Sequence, residues 1–205
     1  MAGISNYLAN AHALREFEAT AFTDAATIYI AILLCTNGPL ARSTPYALNN
    51  TVSYVAADGE NHLYECTKAG TTASTAPTYP GAPGEAITDG MAVFTEQSVN
   101  LKANTGLVEP TVGGYARLSV ATNSTDFAVS GNGNIIKNAV VLTFVTPTAP
   151  WQTSPSEFWG WATFDAATAG NLLRFGGLTA DQIINTGNTV AFAIGAMTYN
   201  LDNAA

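Results

Sequence analysis

The chain has 205 residues, 47% of them hydrophobic and only 11% charged, with a net charge of -8. Ordinary globular chains carry about 25% charged residues, so Thr, Asn and Ser must supply most of the polar surface. This composition excludes a disordered chain, which needs low hydrophobicity and high charge. It also excludes a coiled coil, rich in Glu, Lys and Arg, and a phosphate-tracking nucleic-acid binder, because the 7 Lys and Arg form no cluster.

The first element expected is a helix. Ser5 is a good N-cap, and Ile4, Tyr7, Leu8, Ala11 and Leu14 recur at helical spacing. After Thr23 and Asp24 the period becomes strand-like. Residues 27–34 are β-branched and nearly all apolar, which predicts a strand buried on both faces, closed by the turn residues Asn37, Gly38 and Pro39. Residues 43–99 differ in character, being rich in Thr, Gly and Pro. They predict three short strands at 51–55, 61–66 and 91–95, a hairpin at Asp58 and Gly59, and a long loop at 68–89 with Pro77, Pro80 and Pro83. This segment is expected to be a small inserted β module that folds semi-independently.

Strand patterning resumes at 115–120, 139–145, 157–164, 171–175 and 189–194, with turns at Gly113 and Gly114, at 131–134 and at 186–188. Residues 180–184 predict at most one helical turn. Trp159 and Trp161 are expected on one face of their strand, as residues two apart normally are. The fold class that follows is mainly β: an antiparallel β-sandwich or jelly-roll-like core with one N-terminal helix and the inserted module. The core comprises 1–42 and 100–205, and the module 43–99.

A chain this long buries roughly 70% of the surface its unfolded form exposes, so it needs no metal or disulfide to fold. Cys35 and Cys66 lie in separate apolar runs and read as core thiols, although a single pair permits one disulfide. No run of eighteen apolar residues is present to span a membrane. The absence of a basic and then apolar leader predicts a product that is cytoplasmic at synthesis, and Asn49 and Asn123, which match glycosylation acceptors, then carry no meaning. Catalytic signatures are missing too. The chain has 2 His, His12 and His62, no Gly-x-Ser-x-Gly elbow and no phosphate loop, and a thiolate is disfavoured inside an apolar strand. The expectation is a non-enzyme with no cofactor and no catalytic or metal residues. Two aromatic sets stand out. Tyr54, Tyr64, Tyr79 and Phe94 are dense for a small module and are candidates for stacking on a glycan, or for its core. Tyr7, Leu8, Trp159 and Trp161 are candidates for packing or interface contacts.

Several runs carry a resemblance: NYLANA at 6–11, FTDAATIYIA at 22–31, GGYAR at 113–117, FDAATAGNLL at 164–173, and NTGN at 185–188 with Phe192. Together they resemble small tailed-phage virion proteins of the tail-fibre, head-fibre or capsid-decoration type, over about 1–42 and 100–205. The insert, through YEC at 64–66, AGT at 69–71, APTYP at 76–80, TDG at 88–90 and Phe94, is similar to a carbohydrate-binding-like module common in phage structural proteins. The resemblance implies a structural virion component that forms homo-oligomers and binds a major capsid protein or tail proteins. Two roles remain open. One is a capsid decoration, cement or head-fibre subunit; the other is a tail-fibre or tail-tip adhesin whose insert touches a host-surface glycan.

Overall fold

The chain begins with a short strand, β1 (Ala2–Ile4), which runs straight into helix α1 (Asn6–Phe17). The computed structural model describes residues 2–18, 25–130 and 135–200. Ser5 caps the helix: its hydroxyl accepts the Leu8 N–H at 3.1 Å and itself donates to the Leu172 carbonyl. One serine thus satisfies an orphan helix donor and ties the helix to the sheet. Leu8 is buried, whereas Tyr7 is 42% exposed.

Next come β2 (Thr27–Cys35), β3 (Pro45–Tyr46), β4 (Thr51–Val55), β5 (Asn61–Lys68), β6 (Gly70–Thr71), β7 (Ala86–Asp89), β8 (Ala92–Glu96) and the short helix α2 (Ser98–Lys102). The remainder holds β9 (Leu118–Ala121), β10 (Phe127–Ser130), β11 (Ile135–Asn138), β12 (Leu142–Thr143), β13 (Glu157–Phe164), β14 (Leu172–Gln182), β15 (Ala191–Phe192) and β16 (Thr198–Asn200). A five-stranded antiparallel sheet ordered β1-β14-β13-β2-β9 forms the middle layer. The module segment makes a four-stranded sheet, β4-β5-β8-β7, and the pair β3-β6, while the C-terminal half adds β10-β11-β16 and the pair β12-β15. The protein is mainly β with antiparallel sheets, as its patterning predicts.

The alternation of β2 explains the layering. Ile30 and Ile32 point to one face, where they meet Trp151, Phe158, Trp161, Met197 and Tyr199. Ala31, Leu33 and Cys35 point to the other, against Trp159, Phe164, Phe175, Leu63 of β5 and Leu101 of α2. A period of two that is apolar in both phases needs cover on both sides. The module covers one face and the C-terminal strands cover the other.

The two tryptophans of β13 do not share a face. Trp159 packs with the module-side cluster and Trp161 with the opposite one. Phe158 pairs with Leu34 but Gly160 already pairs with Leu33, so an extra residue is inserted and the alternation slips by one. Glycine inside a strand is the sequence mark of such a bulge. Boundaries also differ from the patterning, and the loop expected at 68–89 holds the strands β6 and β7. Residues 180–182 extend β14 rather than form a helical turn, and 139–145 and 189–194 keep only the two-residue strands β12 and β15. Tyr115 lies in a turn set by Gly113 and Gly114, both at positive φ. The turn expected at 131–134 lies outside the described residues, as do 22–24.

Candidate functional site

The module is organised by its aromatics. The β4-β5 hairpin turns at Gly59, whose φ of 83° suits glycine, and brings Tyr54 and Tyr64 beside the 72–85 loop. Tyr64, Tyr79 and Phe94 are all buried, with Tyr46, Val52 and Cys66 around them. Tyr79 packs edge-on against Tyr64 at 5.0 Å and lies 6.2 Å from Phe94. The Tyr64 hydroxyl donates to the Pro80 carbonyl at 2.6 Å and that of Tyr79 to Asp89 at 2.7 Å. Burial pushes both phenols well above their ordinary range. Only Tyr54 is half-buried, 4.6 Å from Tyr79. Three of the four candidate glycan contacts therefore face inward and offer no flat face to a sugar. A module this small must spend its largest rings on its own core.

Two polar networks hold this unit in place. His62, itself buried, lies between two carboxylates, with Nε2 2.9 Å from Asp58 and Nδ1 3.1 Å from Glu96. Glu96 also accepts the Gly84 and Ser98 N–H groups at 3.0 and 2.9 Å, and the Ser98 hydroxyl. Burial alone would raise the Asp58 carboxyl, but the Glu60 amide and His62 outweigh it and hold it below its ordinary value. At the junction with the middle sheet, Asp181 of β14 accepts the Ser53 hydroxyl, the Asn61 side-chain amide at 2.9 Å and the Cys35 thiol at 3.7 Å. Both cysteines are free and buried. Burial, helped by the Asp181 charge, pushes the Cys35 thiol up to about 12, far from a reactive thiolate.

Sequence reasoning singles out neither Asp181 nor Arg117. The Arg117 guanidinium lies 3.5 Å over the Phe164 ring, pairs with Glu109 at 2.6 Å and donates to the carbonyls of Ala166 and Ala169. It fastens the 107–117 connection to the end of β13. Its presence in the GGYAR run is the one signal that could have marked it. Among the described residues no group of three or more His, Cys, Asp or Glu could hold a metal, and no helix is long and apolar enough to cross a membrane.

A comparison with protein families places this architecture. The family described as podophage GP4 fiber I protein gp80 matches residues 90–200, more than half of the chain. The matched span opens at the turn before β8. It therefore takes in the last strand of the module, α2 and every element from β9 to β16, and it leaves out residues 1–89, the rest of the module included. No curated protein matches the chain. Within the matched span β8 leads into α2, whose Leu101 shares a buried cluster with Trp159 of β13. The chain belongs to the podophage GP4 fiber I protein gp80 family and is a phage virion protein of the fibre type.

Proposed function

We propose that the protein is a non-enzymatic capsid-decoration or head-fibre subunit that binds the particle through its β core, residues 1–42 and 100–205, and projects the module at 43–99. The observation that carries this reading is the inward packing of Tyr64, Tyr79 and Phe94. An adhesin that reads glycans by stacking needs exposed aromatic faces, and these rings are committed to a core. The lack of catalytic intent is supported by the same kind of packing. His62 is held on both ring nitrogens by carboxylates, and the Cys35 thiol is raised by burial. Uncharged surfaces with scattered exposed Val and Ile suit extended contacts between repeated virion subunits, homo-oligomers included.

Copy number tests the reading directly. A calibrated gel of purified particles should give hundreds of copies per virion, as repeated capsid sites require. A handful of copies would place the protein on the tail and overturn the head assignment.

A further inference from the structure

Beside α1, the middle sheet and the β10-β11-β16 sheet part to leave a groove of about 780 Å³. Leu8, Ile28, Phe127, Ile136 and Leu173 make its lining largely apolar. Among the described residues of its lining there is one Lys or Arg. Arg174 of β14 is half-buried, its guanidinium 5.2 Å over the Tyr199 ring. Burial holds it below its ordinary value. Among the described residues it has no carboxylate within ion-pair range and makes no hydrogen bond. Tyr199 is itself buried, and its hydroxyl, alongside Thr163, makes no hydrogen bond of ordinary geometry. The other titratable groups of the lining are Tyr7, His12 and Asp165. Asp165 is occupied by the Asn171 backbone and side-chain amides, both at 2.7 Å.

A cation drawn out of water without an anion opposes folding, so a groove built around one is complementary to an acid. The rim adds a second requirement. Phe127, Ala128 and Val129 are successive residues of β10, yet all three line the groove. Because neighbouring side chains point to opposite faces of a strand, the groove must reach around the edge of β10. Among the described residues that edge is unpaired, since β10 is bonded only to β11, and Val129 stands exposed on it. An unpaired edge can take an added strand, with backbone bonds for affinity and alternate side chains for specificity.

We propose that this groove docks an extended segment of a neighbouring virion protein, added along the free edge of β10, with a carboxylate placed on Arg174 and apolar side chains beside Ile28 and Ile136. The free edge favours a polypeptide over a small amphiphilic acid, which has no backbone to pair. The inference rests on the chain being a virion protein and not on which end of the particle carries it.

The test uses the full-length protein with a benzophenone amino acid in place of Val129, assembled into particles and irradiated. The expected product is a single cross-linked peptide from a different virion protein, containing Asp or Glu. Arg174→Met should lower its yield, or the incorporation of the protein, at least tenfold. Changing the partner's acid to its amide should do the same. The free Arg174→Met protein should melt at or above the wild-type temperature, because it loses an unpaired cation and keeps the apolar volume. A lower melting temperature would assign Arg174 to the fold and overturn the proposal. So would a product joining two copies of this chain, a lipid adduct, no product, or a yield indifferent to Arg174→Met. Copy number does not enter any of these readouts, so this proposal and the head assignment fail separately.

Discussion

Asp181 shows how one side chain couples the module to the middle sheet. Ser53 and Asn61 reach it from β4 and β5, and Cys35 reaches it from β2. Burial raises its carboxyl above the ordinary value of 3.8, against the lowering effect of the Ser53 and Asn61 hydrogen bonds. A raised folded-state value means that the folded protein holds this proton more tightly than the unfolded chain does. The group therefore adds stability as pH falls from its folded value toward 3.8, and that contribution is lost as pH rises back through the folded value. Asp181→Asn removes the titration and is close in shape. Thermal melts of the two proteins from pH 7 to pH 4 should show the difference moving in favour of the wild type as pH falls. A difference that stays flat, or moves the other way, would mean that Asp181 is not held in the environment described.

At the scale of elements, the junction depends on backbone approach. Gly177 of β14 lies so close to Asn61 at the start of β5 that a Cβ there would run into the Asn61 carbonyl oxygen. Backbone cannot yield as a side-chain tip can, so Gly177→Ala should destabilise the protein by about 1–3 kcal/mol, read by chemical denaturation. Gly59→Ala is the control for glycine loss away from packing, since nothing lies within 4 Å of its Cβ position, although its positive φ still carries strain. An unaffected Gly177→Ala protein would show that β14 and β5 can separate at no cost. These elements differ in how far the sequence discloses them. β2, β4 and β13 are legible to within a residue because a buried strand needs β-branched and aromatic residues at every position or at every second one. The strand β1 is not, because three residues carry no period, and its pairing with Arg174, Phe175 and Gly176 is fixed by tertiary contact. The end of β14 is hidden because Thr179, Ala180 and Asp181 are small or polar. The slip at Gly160 reverses the facing of Trp159 relative to Trp161, which composition alone cannot count. The site follows the same rule: clustering of aromatics in the module is legible, but their direction is a property of the packed core.

Over the whole molecule, the module does not close over its own core. Leu63 leaves the module cluster and packs with Ala31, Leu33, Trp159 and Phe175, and its carbonyl accepts the Gln97 N–H leading into α2. Module and core therefore share buried contacts at their junction. For a subunit placed on a capsid this has a measurable consequence. Binding only to the assembled shell stabilises that shell by mass action, so particles lacking the protein should lose infectivity at a lower temperature than complete ones, while adsorbing to cells at the same rate. Tyr79→Ala, which empties a fully buried site, should cost about 3–5 kcal/mol by analogy with other large aromatic truncations and lower particle heat resistance along with subunit stability. Tyr54→Ala, at the half-buried edge of the same cluster, should leave adsorption unchanged. A glycan-reading tail subunit makes the opposite forecast, with heat resistance intact, adsorption lost, and Tyr54→Ala alone sufficient to lose it. Heat-inactivation curves and adsorption rates of the deletion, Tyr79→Ala and Tyr54→Ala particles separate the two, and full heat resistance with failed adsorption would move the protein from the head to the tail.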